Sequence, residues 1–417
     1  MGIQRPLVIA SLAIALTVSA DLASTAAQAA EGEKSFEVYG FVQLDYVQDF
    51  DRVNPDWDST LRPSKIPTID GFYGSDGQAI LSARQTRLGV QGNLPVEGSD
   101  LYTRFEFDLF GVGNDAGQTT FRLRHAYGQW KNWLAGQTNS LFMDGDIFPN
   151  VIDYWGPAGM VFLRNPQIRW TPVSGANSFA IAIEQPSNDI DSGKVREIDP
   201  GLADSLQGDE KYPDLTAQFR MSRDWGHLQL AGILRDIGYD TANDQPPFDN
   251  TGNNPSGSET GWGLDLTGTY KTTDMDAIRA GVVYGHGIAS YMNDGGVDLA
   301  PECDLDPQGD CIPNTVKAKA VPLLGVSAYY DHYWNNEYST SFGYAETSVD
   351  NQSGQEADAF NAGRYASVNL LYKPAKQIMT GIEALWGERE DNNGDKGKDV
   401  RVQVSFQYKF SSKDFEL

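Results

Sequence analysis

The segment Val400–Phe410 constrains the fold most, because it alternates apolar and polar residues without interruption. The apolar residues are Val400, Val402, Val404, Phe406, Tyr408 and Phe410, and the polar ones are Arg401, Gln403, Ser405, Gln407 and Lys409. Side chains point alternately to the two faces of a β-strand, so this segment has one apolar face and one polar face. Its length fits a tilted strand that crosses a bilayer. Taken alone, the pattern fits a soluble β-sandwich equally well.

The same alternation recurs in sixteen candidate strands between Phe36 and Phe410. Besides the last one, they include Phe36–Val47, Leu101–Phe110, Gly261–Tyr270, Ala277–Gly287, Val321–Asp331, Glu337–Ala345, Ala366–Tyr372 and Met379–Gly387. Each segment is a weak signal when taken by itself. Period-two alternation in so many successive segments indicates an all-β chain, and the 43 glycines suit its many turns.

The connections between these strands alternate between short and long. The short ones are Lys131-Asn132, Pro172–Asn177, Ser222–Asp224, Thr272–Asp274, Tyr333–Asn335 and Pro374–Lys376. The long ones are Asp49–Gln78, Ser140–Arg164, Pro186–Tyr212, Tyr239–Glu259, Tyr291–Thr315, Asp350–Ala359 and Arg389–Asp399. Tight turns at one end and long loops at the other are typical of an up-and-down outer-membrane barrel.

Aromatic residues cluster beside the short turns, namely Trp130, Trp133, Trp225, Tyr270, Trp334, Tyr372 and Tyr408. A ring of such residues marks the level of the lipid headgroups in a transmembrane barrel. We therefore predict an antiparallel transmembrane β-barrel of about sixteen strands. It would have short periplasmic turns, long extracellular loops and both termini at the periplasmic end. A barrel of this size encloses water.

Residues 1–30 have the pattern of a secretory signal peptide. Arg5 precedes the apolar run Leu7–Ala20, and Ala27-Gln28-Ala29 forms a small-x-small cleavage site. We expect residues 31–417 to form the barrel as one unit. The formal net charge of −25 excludes binding to nucleic acid through a general electrostatic field.

Arginines are concentrated on the predicted lumenal face in the first half of the chain: Arg87, Arg104, Arg122, Arg124 and Arg169. Successive strands are neighbours, so these side chains should form a patch on one wall. Arginine presents a planar fork that fits a carboxylate, and rings of arginine favour anions in pores. The alternative is that they pair with lumenal Glu106, Asp108 and Glu184 and only stiffen the wall. The direction of Arg84 stays open.

The long loop Ser140–Arg164, which is called the third loop below, is unusually apolar and aromatic for an exposed loop. Its residues Phe142, Ile147, Phe148, Val151, Ile152, Tyr154 and Trp155 favour burial. We predict that this loop folds into the barrel and narrows the pore, so that Asp144, Asp146 and Asp153 face the arginines across a constriction. A loop packed on top of the barrel, or at a subunit contact, is the alternative.

Cys303 and Cys311 are close together in a secreted chain, which predicts a local disulfide.

The sequence gives little support for a metal site or for catalysis. The acidic segments 304–310 and 391–395 have spacings similar to calcium loops, but neither matches a full EF-hand, and we expect solvated loops without a metal. Four histidines are scattered outside known catalytic motifs. Of these, His125 has the parity of a lipid-facing residue. We expect no enzymatic activity and no cofactor.

Several stretches resemble the DcaP-like outer-membrane porins of Gram-negative bacteria. They are Phe41–Asp45, Ala83–Gly92, Arg122–Tyr127, Gly136–Thr138, Phe148-Pro149 and Tyr154–Pro157. The resemblance is closest over Phe36–Thr171. It implies a homotrimeric channel that passes small organic anions, dicarboxylates among them, with arginines at its narrow part. It also implies contact with outer-membrane lipid and lipopolysaccharide.

Two functions from different classes follow from the sequence. The first is a porin for passive diffusion that favours small organic anions. The second is a non-transporting barrel that acts as a surface receptor or adhesin through its long acidic loops. A closed lumen would need large apolar residues on the inner face. The residues predicted there are small or polar instead, including Gln43, Thr267, Ser339, Ser341, Ser367, Asn369, Gln403 and Ser405.

Overall fold

A computed structural model describes residues 34–241 and 256–415. The predicted signal peptide, residues 1–30, lies outside these residues, as does most of the loop predicted at Tyr239–Glu259. Within the part of the chain that is described, no helix is both long and apolar enough to span a membrane.

The described chain forms a closed antiparallel barrel of sixteen strands. They are β1 (Ser35–Asp49), β2 (two segments, Gln78–Ser82 and Arg87–Val96), β3 (Ser99–Phe110), β4 (Thr119–Trp130), β5 (Trp133–Asn139), β6 (Arg164–Val173), β7 (Asn177–Glu184), β8 (Asp214–Arg223), β9 (Gly226–Thr241), β10 (Gly257–Lys271), β11 (Ala277–His286), β12 (Pro322–Tyr333), β13 (Tyr338–Val349), β14 (Phe360–Ala375), β15 (Ile378–Asp391) and β16 (Lys396–Ser411). The predicted fold class is thus confirmed.

Shorter elements lie in the connections between these strands. Three further strands are Leu206–Gly208, Leu299–Glu302 and Lys317–Ala320, and two α-helices are α1 (Val195–Ile198) and α2 (Pro200–Ser205). The 3-10 turns are Pro55–Trp57, Pro63–Lys65, Gly113–Asp115, Gly145–Ile147, Ala289–Tyr291, Pro313–Thr315 and Ser412–Phe415. A disulfide joins Cys303 to Cys311 in the loop between β11 and β12.

The barrel closes between its first and last strands. β1 and β16 pair in antiparallel register, with Val42 opposite Tyr408 and Asp45 opposite Ser405. Both segments of β2 pair with β1, and every later barrel strand pairs with its neighbours in the chain. Closure gives the first and last strands a partner on both sides, which a sheet in a bilayer requires.

The two faces of β16 divide as its alternation predicts. Val400, Phe406 and Tyr408 are exposed on the outside of the barrel, whereas Arg401 and Ser405 are fully buried on the inside. The same division holds in β1, where Leu44 is exposed and its neighbours are buried. The apolar face is therefore the outer, lipid-facing surface, and the polar face lines the interior.

The core lies inside the barrel, where long loops fold against its inner wall. The third loop contributes buried Phe142, which packs against Tyr291 of the loop after β11 and against the inner wall. The first loop contributes Leu61 and Ile66, which pack with Tyr365 of β14. The entry of the first loop and of the loop after β11 was not predicted from the sequence. Together these loops fill part of the barrel interior and leave a cavity beside the inner wall of the first strands.

The outer face yields a prediction about depth in the membrane. Val368 lies midway along the outer face of β14, and we expect Val368→Arg to destabilise the barrel by about 2–4 kcal/mol, because charge at the bilayer midplane is costly. Ser348, near the extracellular end of β13, provides the matched control, and Ser348→Arg should cost about 0–1 kcal/mol. Reversible denaturant unfolding in lipid vesicles measures both values. Equal costs at the two positions would contradict the assignment of the lipid-facing band.

Candidate functional site

A cavity of about 1010 Å³ lies between the arginines of the first strands and the inward-folded loops. One wall carries the basic residues Arg87, Arg104, Arg122, Arg124 and Arg164 together with His125. Tyr154 and Trp155 of the third loop and Asn293 and Asp294 of the loop after β11 line it from other sides. At this cavity, the basic side chains of the barrel wall lie next to the loops that fill part of the barrel interior.

An interruption in β2 turns two consecutive side chains, Arg84 and Gln85, inward. Between the two segments of β2, the amide of Thr86 donates to the carbonyl of Ala83 at 3.0 Å and forms a turn. Arg84 is buried and donates to the Ser59 hydroxyl at 2.7 Å, while Gln85 donates to Asp45 at 2.9 Å. Arg84, whose direction the sequence left open, therefore points inward and packs beneath the first loop.

A β-bulge in β4 places two neighbouring side chains in the lumen. Glu106 pairs with His125 and Phe107 pairs with Leu123, so Arg124 is an extra residue in its strand. A bulge re-aims the side chains around it. The lipid-facing parity expected for His125 is wrong for this reason: its ring lies inside, with Nδ1 3.0 Å from the Thr138 hydroxyl.

Two buried carboxylates hold the arginine wall in place. Glu106 contacts Arg104 at 2.5 Å and Arg124 at 2.8 Å, and Asp108 contacts Arg122 at 2.8 Å and Arg124 at 2.9 Å. Charge-assisted contacts of this kind are short and fix the planar guanidinium groups. The pairing alternative drawn from the sequence therefore applies to Glu106 and Asp108.

The pairing leaves an excess of positive charge on this wall. Five guanidinium groups of this wall line the cavity, and two carboxylates of β3, Glu106 and Asp108, lie within 4.0 Å of four of them. Arg87 approaches Glu106 only to 3.7 Å, and within the described chain no carboxylate lies within 4.0 Å of Arg164, which packs over Phe162. Glu184, the third candidate partner, accepts instead from Ser140 and Thr216. The side chains on this wall therefore carry more positive than negative charge, and they line the cavity.

Asp153 clamps the loops together and does not pair with the arginine wall. Its carboxylate accepts from the Leu61 amide at 3.1 Å, the Thr60 hydroxyl at 2.8 Å and the Gly156 amide at 2.9 Å. Its own amide donates to Glu383 on the inner wall at 3.0 Å. Burial raises the pKa of Asp153 above its usual value, although these hydrogen bonds oppose the rise.

Asp144 and Asp146 contact the wall formed by β8 to β10. Asp144 lies 3.3 Å from Arg220, accepts from Thr267 at 2.8 Å and lies 2.6 Å from His227, and Arg220 also pairs with Asp146. Burial raises the pKa of Asp144, but hydrogen bonds from His227 and Thr267 outweigh it and hold the pKa below its usual value. The prediction that these aspartates face the first-half arginines is therefore wrong, because another arginine lies nearer.

Arg169 is also separated from the other predicted arginines. It donates to the Asn139 carbonyl at 2.6 Å and to Gln167 at 2.9 Å, and it does not line the cavity.

The sequence reasoning missed three basic residues of the cavity: Arg62 and Lys65 of the first loop, and Arg164 at the start of β6. The first loop contains more acidic than basic residues, so its charge gave no signal. Arg164 has the parity of lipid-facing Ile168, so alternation would have placed it outside the barrel. Arg62 contacts Asp294 at 2.9 Å and packs over Trp155, which joins three loops at the cavity.

Comparison with known families agrees with this architecture. A family model for the DcaP outer membrane protein matches residues 9–410 of the chain. No curated protein matches its sequence.

Solved structures with the same fold include an outer-membrane channel, a porin and another outer membrane protein. The outer membrane channel DcaP of Acinetobacter baumannii has a TM-score of 0.73 and 22% identity, covering 91% of this chain and 99% of that one. An anion-selective porin from Comamonas acidovorans has a TM-score of 0.55 and 9% identity, covering 91% and 100%. OmpT of Vibrio cholerae has a TM-score of 0.53 and 11% identity, covering 92% and 100%. At these identities the likeness shows the fold.

The clamp on the third loop yields a prediction. Glu383 accepts from the amides of Ile152 at 3.1 Å and Asp153 at 3.0 Å. In Glu383→Ala both buried amides lose their acceptor, which costs about 1–3 kcal/mol for each. We expect the third loop to loosen, with faster proteolysis near residue 150 and a larger, noisier single-channel conductance.

Glu383→Gln is the control, because its amide oxygen retains one acceptor. We expect an intermediate effect on proteolysis and conductance. A folded Glu383→Ala barrel with wild-type proteolysis and conductance would show that the loop is held elsewhere.

Proposed function

Because this chain belongs to the DcaP outer membrane protein family, we propose that it is a porin whose constriction favours small organic anions such as dicarboxylates. It is a channel of the Gram-negative outer membrane, and its family and fold point to transport rather than to catalysis. The proposal concerns the charge of the solutes that pass and the residues that select them. Solutes would move passively, down their concentration gradients.

The uncompensated arginines at the cavity carry this proposal. Arg164 has no carboxylate within 4.0 Å among the described residues, and Arg87 shares Glu106 at 3.7 Å with Arg104 and Arg124, which lie nearer to it. A surplus of guanidinium groups in a confined aqueous path lowers the energy of an anion there. Their planar forks suit a carboxylate, and two arginines on adjacent strands suit a solute with two carboxylates.

The alternative function, a receptor or adhesin with a closed lumen, lacks a comparable observation. Three of the loops that would serve a receptor, namely the first loop, the third loop and the loop after β11, contribute described residues to the cavity inside the barrel. Loop residues Arg62, Trp155 and Asp294 contact one another at its side. Loops used in this way support selection of a solute inside the barrel.

Ion selectivity in a planar bilayer tests the proposal. In a salt gradient, the wild-type reversal potential should indicate anion preference. The double variant Arg122→Ala and Arg124→Ala should shift it toward cations, because two positive charges are lost, Asp108 loses both of its arginine partners and Glu106 loses one of its own. Liposome swelling should show faster entry of succinate than of a neutral sugar of similar size in the wild type, with the difference reduced several-fold in the double variant.

Arg223→Ala is the matched control, since Arg223 is exposed at the periplasmic end of β8 and its loss also removes positive charge. We expect wild-type selectivity in this variant. Strong cation preference of the wild type, left unchanged by the double substitution, would contradict the proposal.

We also propose that the channel is a homotrimer that assembles through the outer face of β4. This strand pairs with β3 as far as Thr119, but with β5 only from Ala126 to Trp130, so residues 119–125 have no strand partner on that side among the described residues. The Gln137 side chain donates to the Leu123 carbonyl. A backbone edge facing lipid is costly, whereas a neighbouring subunit can cover it.

A charge at this face tests the proposed assembly. Phe121 is exposed there and packs edge-on against Phe107 at 4.8 Å. We expect Phe121→Arg to convert trimers to monomers in native mass spectrometry while the barrel stays folded. Tyr284→Arg, at an exposed position on β11, should leave the trimer intact. A trimeric Phe121→Arg variant, or a monomeric wild type, would contradict this assignment.

A further inference from the structure

A row of alternating charges crosses the outer face of four neighbouring strands. In register from β13 to β16, Glu346 lies opposite Arg364, Arg364 opposite Glu388, and Glu388 opposite Lys398. Two residues further toward the extracellular end, Glu390 lies opposite Lys396. We call these six residues the rim patch.

The rim patch begins where the apolar surface ends. The row immediately below it, in the same register, is Tyr344, Ala366, Trp386 and Val400. The next row toward the periplasm contains exposed Phe342 and Val368. The outward-facing residues change from apolar to charged between two adjacent rows. Such a change marks the boundary of the hydrocarbon layer, so the rim patch lies at the level of the headgroups of the outer leaflet.

Contacts within the rim patch fix its arginine and leave its lysines open. Arg364 contacts Glu346 at 3.2 Å, Glu388 at 2.6 Å and Glu390 at 2.9 Å. The ammonium group of Lys396 lies 3.0 Å from Glu390, and that of Lys398 only within 3.7 Å of Glu388. The lysine side chains remain 46% and 63% exposed, whereas that of Glu388 is 10% exposed. The side chains of Glu346 and Glu390 are 26% and 22% exposed, so the patch balances three carboxylates against three cations, and its two lysines are the most exposed of these charges.

We propose that the rim patch binds the phosphate groups of lipopolysaccharide, the glycolipid of the outer leaflet. Lysine is a flexible point charge that binds phosphate, and each basic residue beside an anionic membrane surface adds to the attraction. The acyl chains of the same molecule would pack on Trp386, Tyr344 and Val400 directly below. The anionic headgroup would therefore contact the lysines, and the acyl chains would contact the apolar row directly below them. This inference stands independently of solute selection inside the barrel.

Binding of lipopolysaccharide to the purified full-length channel tests the rim patch. Delipidated protein is titrated with defined lipopolysaccharide, and bound molecules are counted by native mass spectrometry. We expect the double variant Lys396→Ala and Lys398→Ala to bind about fivefold more weakly for each lysine removed. Enzymatic removal of the lipid phosphates should weaken binding to the wild type by a similar factor and have little further effect on the variant.

The matched control removes two lysines at the periplasmic end, Lys376→Ala and Lys409→Ala, and should bind lipopolysaccharide as the wild type does. Heat-dependent gel mobility verifies that each barrel is folded. Wild-type binding by the rim variant, equal loss in the control, or equal wild-type affinity for the dephosphorylated lipid would each overturn the proposal.

Discussion

A backbone amide inside a bilayer has no water to bond with, and this constraint determines the arrangement of the rest of the molecule. Pairing between β1 and β16 satisfies the two strands that would otherwise form the edges of the sheet. Closure then separates two environments across a single wall. Apolar side chains face lipid, and polar and charged ones, including every member of the arginine wall, are collected in a narrow interior.

The sequence predicts the strands and their two faces because a closed barrel converts a simple alternation into a contrast between lipid and water. Prediction fails where the backbone departs from that alternation. At Arg124 a bulge adds one residue, so that His125 also faces inward. Between the segments of β2, a turn brings Arg84 and Gln85 inward together. Both irregularities lie at the cavity, where the strands gain inward-facing groups that regular alternation would not supply.

The partners of the loops are harder to predict than the faces of the strands. The apolar composition of the third loop indicated burial, and it lies inside the barrel, but composition does not specify register against the wall. Asp144 could have met any lumenal cation, and the structure pairs it with Arg220 of β8. The carboxylate of Asp153 accepts hydrogen bonds from loop amides. These contacts depend on the backbone conformation of the loops, which the spacing of residues in the sequence does not predict. Long-range contacts of this kind depend on the assembled barrel.

A chain with a net charge of −25 can still carry a local excess of positive charge inside its barrel, because the electrostatic field at a point depends mostly on the nearest charges. At physiological ionic strength, interactions between exposed charges fade beyond about 8 Å, whereas groups in a confined, partly dry site are screened less. Glu106 and Asp108 are fully buried, and each contacts more than one arginine. Their negative charges therefore offset the repulsion between neighbouring guanidinium groups. The same two carboxylates that reduce the positive charge of the wall therefore stabilise its concentration of arginines, and Arg164 keeps its charge with no carboxylate within 4.0 Å among the described residues.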